Sequence, residues 1–195
     1  MNDTKKQKNI LDAYIDKKGK CIIYIYGYPC TSKTQIGKLL AEDINLPHIN
    51  ANQFIDGFKN IDNMKIYEHS ENMQWDKLKD KILETSSAVI TCNYITDDLN
   101  PDFVYFIGIN KTLCKENLLE FNAAKNDDSK YIEPDVVDKY ITNVLFPMYD
   151  SQTKITKINK FINIKENSTL ENIYNTLFDQ FVNDLQDQVN KLYDL

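Results

Sequence analysis

Residues 21–34 read Cys-Ile-Ile-Tyr-Ile-Tyr-Gly-Tyr-Pro-Cys-Thr-Ser-Lys-Thr, and the reading of the whole chain starts from them. The apolar, β-branched and aromatic run Cys21–Tyr26 predicts a buried strand, and Gly27 ends it where a tight turn needs a residue without a Cβ. Gly27, Tyr28, Pro29, Cys30, Thr31, Ser32, Lys33 and Thr34 then follow the spacing of a phosphate-binding loop, Gly-x-x-x-x-Gly-Lys-Ser/Thr. One position departs from it, since Ser32 stands where the second glycine is expected.

Those residue types belong together for a physical reason. Backbone N–H groups of such a loop and of the first turn of the next helix converge on one concavity, where the positive helix end favours an anion. Lys33 is the candidate point charge for terminal phosphates, and the Thr34 hydroxyl the candidate ligand for Mg²⁺. Ser32 keeps its N–H, so the cradle survives if the backbone there tolerates a Cβ. A positive φ at that residue costs about 1 kcal/mol or somewhat more.

Outward from the loop, strand and helix patterns alternate. Ile10, Leu11, Tyr14 and Ile15 share one face of a lead-in helix over 4–18. Ile36, Leu39 and Leu40 mark a helix over 33–43, and Leu46–Ile49 a short second strand. Residues 56–69 are polar and read as irregular; a helix from Ser70 carries Met73, Trp75, Leu78 and Ile82, which the spacing assigns to core. Ser87–Thr91 and Phe103–Ile107 are the third and fourth strands, followed by a helix over 112–124. Residues 125–130 are a polar connection, with Asp127 and Asp128 solvated. Pro134 fits the first turn of a helix reaching Phe146, 147–159 read as loop, and Lys160–Ile164 as the fifth strand. Ser168-Thr-Leu-Glu171 reads as a capping box for a long amphipathic last helix, whose length past Leu185 leaves room for a homodimer contact. The alternation predicts one α/β domain over 1–195 with a parallel sheet.

Composition narrows the function classes. The formal charge is −6, which argues against a nucleic-acid or anionic-membrane surface, and no apolar stretch is long enough for a signal peptide or membrane span. Four widely spaced cysteines fit neither a zinc pair nor a disulfide framework and predict a reducing, cytoplasmic setting. Cys30 is read as an inert thiol within the loop. All 23 basic residues are lysine.

Gly27–Thr34, then Ile36–Glu42, then a strand closing on Asn52-Gln-Phe54, resembles the opening third of the phosphate-loop kinases of nucleosides and nucleoside monophosphates, and of shikimate kinase. Tyr67–Leu78 is similar to the acceptor segment of uridine kinases and nicotinamide riboside kinases, and 125–139 to the lid of adenylate-kinase-like enzymes. The resemblance implies a three-layer αβα sandwich with a five-stranded parallel sheet, P-loop NTPase architecture, and ATP-dependent transfer with Mg²⁺. It implies Lys33 as the catalytic cation, Thr34 as the metal ligand, and an acceptor held by Asn52, Phe54 and His69, with Lys125 and Lys130 of the lid screening charge.

The chain also departs from that family. Asn52 stands where the kinases hold a carboxylate that accepts the acceptor's proton, and an amide is no base. Thr91-Cys-Asn93 stands where they hold an acidic or metal-orienting residue, with Asp97 and Asp98 a few residues on. Their lids clamp phosphoryl groups with arginine forks, a contribution of roughly 10³ to 10⁵ in rate in related transfers. Two readings therefore stand together: a kinase of a nucleoside or nucleoside monophosphate, and a catalytically inactive nucleotide-binding relative that acts as regulator or scaffold. A GTPase-like switch is disfavoured, because no Asn-Lys-x-Asp segment is present.

Overall fold

The computed structural model describes residues 3–57, 59–61, 64–66, 69–124, 136–155 and 157–194. Helix α1 (Asp3–Lys18) leads into β1 (Ile22–Gly27), α2 (Lys33–Ile44) and β2 (His48–Asn50). A hairpin of β3 (Lys59–Ile61) and β4 (Met64–Ile66) precedes α3 (Trp75–Thr85) and β5 (Ala88–Cys92). The second half runs β6 (Phe103–Ile109), α4 (Lys111–Ala123), α5 (Val137–Tyr140), a π turn (Ile141–Leu145), α6 (Phe146–Ile155), β7 (Lys160–Ile164) and α7 (Leu170–Leu192).

Five of these strands form one parallel sheet in the order β2-β5-β1-β6-β7. Strand β1 is central, and its residues alternate between two cores. Ile22, Tyr24 and Tyr26 face a layer built from α3 to α6, while Ile23 and Ile25 face α1, α2 and α7. Both faces are covered, which is why β1, β5 and β6 are buried at every position and read as continuous apolar runs. Asp102 fastens the entry to β1: its Oδ1 accepts the Tyr14 hydroxyl at 2.9 Å and its Oδ2 the Ile22 N–H at 2.7 Å. After β1 the chain fills one side of the sheet with β2 and β5, then crosses to β6 and β7 on the other. The carboxyl end of β1 is therefore the reversal point, the crevice where open α/β sheets take ligands.

Four local expectations are corrected. The stretch read as irregular over 56–69 contains the antiparallel β3–β4 pair, with Asn60 opposite Lys65; each strand is only three residues long, too short to set up a readable alternation. The helix expected from Ser70 begins at Trp75, after a 3₁₀ turn at Ser70–Asn72. Of residues 147–159, read as loop, 147–155 belong to helix α6. Pro147 is accommodated in its first turn because the π turn just before it widens the helix where the proline ring would otherwise meet the carbonyl of Asn143. Finally, α7 is capped by Thr169, whose hydroxyl accepts the Asn172 N–H at 3.2 Å, and not by Ser168, whose hydroxyl accepts the Lys165 N–H instead. Pro134 lies outside the described residues.

Helix α2 is set against the sheet by Gly37. A Cβ there would lie 2.2 Å from Thr91 Cγ2 and 3.2 Å from His48 Nε2, in a site where Thr91 is fully buried and its hydroxyl bonds His48 Nε2 at 2.9 Å. Helix propensity alone would favour alanine at a mid-helix glycine. Overpacking reverses that sign: Gly37→Ala is expected to lower stability by about 1–3 kcal/mol, several degrees in a thermal melt at roughly 2–4 °C per kcal/mol. Thr91→Ser removes the obstructing methyl and keeps the hydroxyl, so adding it to Gly37→Ala should recover most of the melting temperature.

Candidate functional site

The carboxyl end of β1 turns into the loop at Gly27, whose φ is +147°. A Cβ there would sit 2.1 Å from the Ile107 carbonyl oxygen, so only glycine lets the chain pass β6 this closely. The Tyr28 N–H then donates to that same oxygen at 3.3 Å. Two further residues take left-handed backbone angles without being glycine, Cys30 at φ 56° and Ser32 at φ 57°. The cost anticipated for a Cβ at position 32 is therefore incurred, and incurred twice in three residues.

A loop that presents N–H groups to an anion must turn carbonyls outward, and outward carbonyls need donors. The Gly27 carbonyl accepts the Tyr149 hydroxyl from α6 at 2.7 Å. The Tyr28 carbonyl accepts both the Thr31 hydroxyl and the Lys33 ammonium, each at 2.7 Å. The Cys30 carbonyl accepts Asn117 Nδ2 from α4 at 3.0 Å. Lys33 is only 4% exposed, its ammonium folded back across the loop it belongs to. The first turn of α2 opens directly after this loop, carries no acidic side chain, and includes Thr34. Its leading N–H groups have no helical acceptor, which makes it a ready anion site.

Loop, α2 and α4 line a cleft of about 760 Å³ that also takes in Asn50, Asn52, Asn93 and Glu120. Asn52 follows β2 on a 3₁₀ turn capped by Asn50, whose Oδ1 accepts the Asn52 N–H at 3.3 Å. The Asn52 Oδ1 in turn accepts the Asn93 N–H at 2.9 Å, and the Asn93 carbonyl lies 2.5 Å from the Tyr149 hydroxyl, whose single proton it shares with the Gly27 carbonyl. With its oxygen engaged, Asn52 offers the cleft an amide donor. The chain of contacts Asn52–Asn93–Tyr149–Gly27 thus joins the end of β2 to the start of the loop. Behind it, burial above all pushes the Cys92 thiol up to about 11 and the Cys114 thiol up to about 12, so both stay protonated near neutral pH. No disulfide joins the cysteines among the described residues.

Of the residues expected from sequence, Tyr28 is buried behind the loop, while Pro29 to Thr34 and Asn52 line the one cleft. Phe54 packs on the core cluster below and does not line it. His69 caps the Ser70–Asn72 turn, its Nδ1 accepting the Glu71 N–H at 3.2 Å, and is likewise outside the cleft lining. Asp98 pairs with Lys79 at 3.2 Å and is no substitute carboxylate here, and Lys115 pairs with Asp138 at 2.7 Å. Lys125 and Lys130 lie outside the described residues. Asn117 and Tyr149 were not foreseen, since each reaches the loop from a distant helix and no local pattern marks it.

No protein-family model matches the sequence, and no curated protein matches it. Solved structures do resemble the fold. A sugar kinase from Janibacter sp. superposes with a TM-score of 0.54 at 14% identity, over 87% of this chain and 98% of that one. A gluconokinase from Sinorhizobium meliloti superposes with a TM-score of 0.50 at 12% identity, over 89% of this chain and 95% of that one. The architecture is that of the P-loop kinases: a three-layer αβα sandwich around a five-stranded parallel sheet. No helix among the described residues is long and apolar enough to cross a membrane.

Ser32 is exposed and its side chain makes no capping bond, so nothing compensates its left-handed backbone locally. Ser32→Gly is expected to raise stability by about 1 kcal/mol, read as a melting temperature about 2–4 °C higher. An unchanged or lower melting temperature would contradict strain at this position.

Proposed function

We propose that this chain is a phosphotransferase that binds ATP with Mg²⁺ and passes the terminal phosphoryl group to a small acceptor, a nucleoside or nucleoside monophosphate. The observation that carries this reading is the buried Lys33 ammonium at the mouth of α2, inside a loop whose outward carbonyls are gripped by Tyr149, Thr31 and Asn117. Lys33 and the leading N–H groups of α2 lie on the wall of the same cleft, and a polyphosphate is the anion that complements both.

In this reading Lys33 exchanges the Tyr28 carbonyl for the β- and γ-phosphates and follows the charge that develops as the phosphoryl group leaves. The Thr34 hydroxyl, a hard oxygen donor on the cleft wall, fits one coordination position of Mg²⁺, which when bound neutralises charge between the phosphates. The Asn52 amide donates to the acceptor and orients it, and Lys125 and Lys130 are the further cations that the sequence offers to screen charge. His69 and Phe54 shape the acceptor side at one remove. The likeness to kinases of small hydroxyl acceptors supports transfer in general; nucleosides are our own choice among them. The cysteine pattern supports a cytoplasmic setting.

One observation favours a second reading, a nucleotide-binding regulator without catalysis. The Asn52 oxygen is committed to the Asn93 N–H, so no base stands at the end of β2.

Titration calorimetry of Mg-ATP into wild type and Lys33→Ala separates the cases. Wild type should bind, and the variant should bind tenfold to a hundredfold more weakly, on the order of a lost charge-assisted hydrogen bond. Transfer to one compound in a screen of nucleosides and monophosphates establishes the kinase. Binding with no transfer establishes the regulator, and Asn52→Asp, which keeps an oxygen for the Asn93 N–H, should then gain measurable transfer to a hydroxyl. Absence of Mg-ATP binding to wild type would sink both readings.

A further inference from the structure

The loop keeps its shape without the glycines that would make that shape free of strain, and Cys30 is the clearer case. Its φ of 56° is costly for any residue with a Cβ, and it is followed two positions later by a second such residue. What distinguishes Cys30 is the grip on its carbonyl. Asn117, from the middle of α4, donates Nδ2 to that oxygen at 3.0 Å across 87 residues of chain. Its helix neighbours Cys114 and Leu118 are fully buried apolar groups in the core beneath the loop, so the amide at 117 is there for its hydrogen bond and not for packing.

The geometry of a trans peptide gives that bond a second effect. The direction of the Cys30 carbonyl is set by ψ of Cys30 and φ of Thr31, and the Thr31 N–H points the opposite way. Holding the oxygen against α4 therefore fixes where the Thr31 N–H is aimed, within a loop that lines the cleft. We propose that Asn117 is a positioning residue for the phosphate loop: its grip on the Cys30 carbonyl does the work of a missing glycine, holding the 30–31 peptide in the orientation that presents N–H groups to the nucleotide's phosphates. The inference rests on the nucleotide-binding reading above and adds to it a residue that touches the loop from outside the motif.

The inference makes a specific demand of a double-mutant cycle. With glycine at position 30 the left-handed backbone is intrinsically accessible, so the grip becomes redundant. Mg-ATP would be titrated into wild type, Asn117→Ala, Cys30→Gly and the double variant, each with a thermal melt. Asn117→Ala should weaken binding about fivefold to tenfold, the scale of one hydrogen bond. In the Cys30→Gly background the same change should alter binding by less than about twofold, a non-additivity expected only of residues acting on one element. Asn117→Leu, similar in size, neutral and lacking the amide donor, should behave as Asn117→Ala and serves if the alanine variant does not fold. Equal losses in both backgrounds, or wild-type binding in Asn117→Ala, would overturn the inference while leaving nucleotide binding intact. Failure of wild type itself to bind Mg-ATP would overturn both, and it is seen before any variant is compared.

Discussion

The structure depends on one constraint of the peptide group: a backbone that turns its N–H bonds toward one point turns its carbonyls away from it. Between Gly27 and Lys33, side chains meet the carbonyls of Gly27, Tyr28 and Cys30, and the Ile36 N–H meets that of Ser32. Tyr149 comes from α6, Asn117 from α4, and Thr31 and Lys33 from the loop itself. Two of these donors, Tyr149 and Asn117, reach the loop from distant helices, so its shape depends on the assembled fold as well as on its own sequence. A buried hydrogen bond of this kind contributes only about 1 kcal/mol net, yet leaving its carbonyl unmet costs more. Several layers of the domain are thereby committed to one short turn.

Helix α6 is the element most committed. Phe146 and Tyr149, one turn apart, hold the Tyr28 ring between centroids at 4.5 and 4.3 Å, and Phe106 closes the group from β6 at 5.7 Å. Such tilted ring pairs add to the area they bury. The widened π turn admits Pro147 without breaking the helix, and so sets these two aromatic residues on the loop. The Tyr149 hydroxyl then reaches both central strand ends, at Gly27 and Asn93.

Much of this was legible in the sequence, and the reasons are physical. Strands buried on both faces leave continuous apolar runs, so β1, β5 and β6 were found within a residue or two, as was β7. The loop was legible because glycine and lysine at fixed spacing are required by local geometry. The β3–β4 pair was not, because strands of three residues are too short for Ile61, Met64 and Ile66 to establish a period, and α6 was not, because after Met148 and Tyr149 its residues are polar up to Ile155 and carry no helical stripe. Asn117 and Tyr149 were beyond sequence reasoning for a different reason. Their partners are backbone oxygens, and a backbone oxygen has no residue type to signal it. The amide at position 52 was legible as a departure, but its commitment to the Asn93 N–H needed coordinates.

The seating of α2 has a mechanical consequence. Gly37 leaves no side chain between the helix and the Thr91 methyl, so the helix that carries Lys33 and Thr34 rides on β5 with almost no slack. Downstream of the loop the lever is welded to the platform. Any give needed to admit a bulky anion must come from the five residues between Gly27 and Lys33, whose two left-handed members act as a preloaded spring.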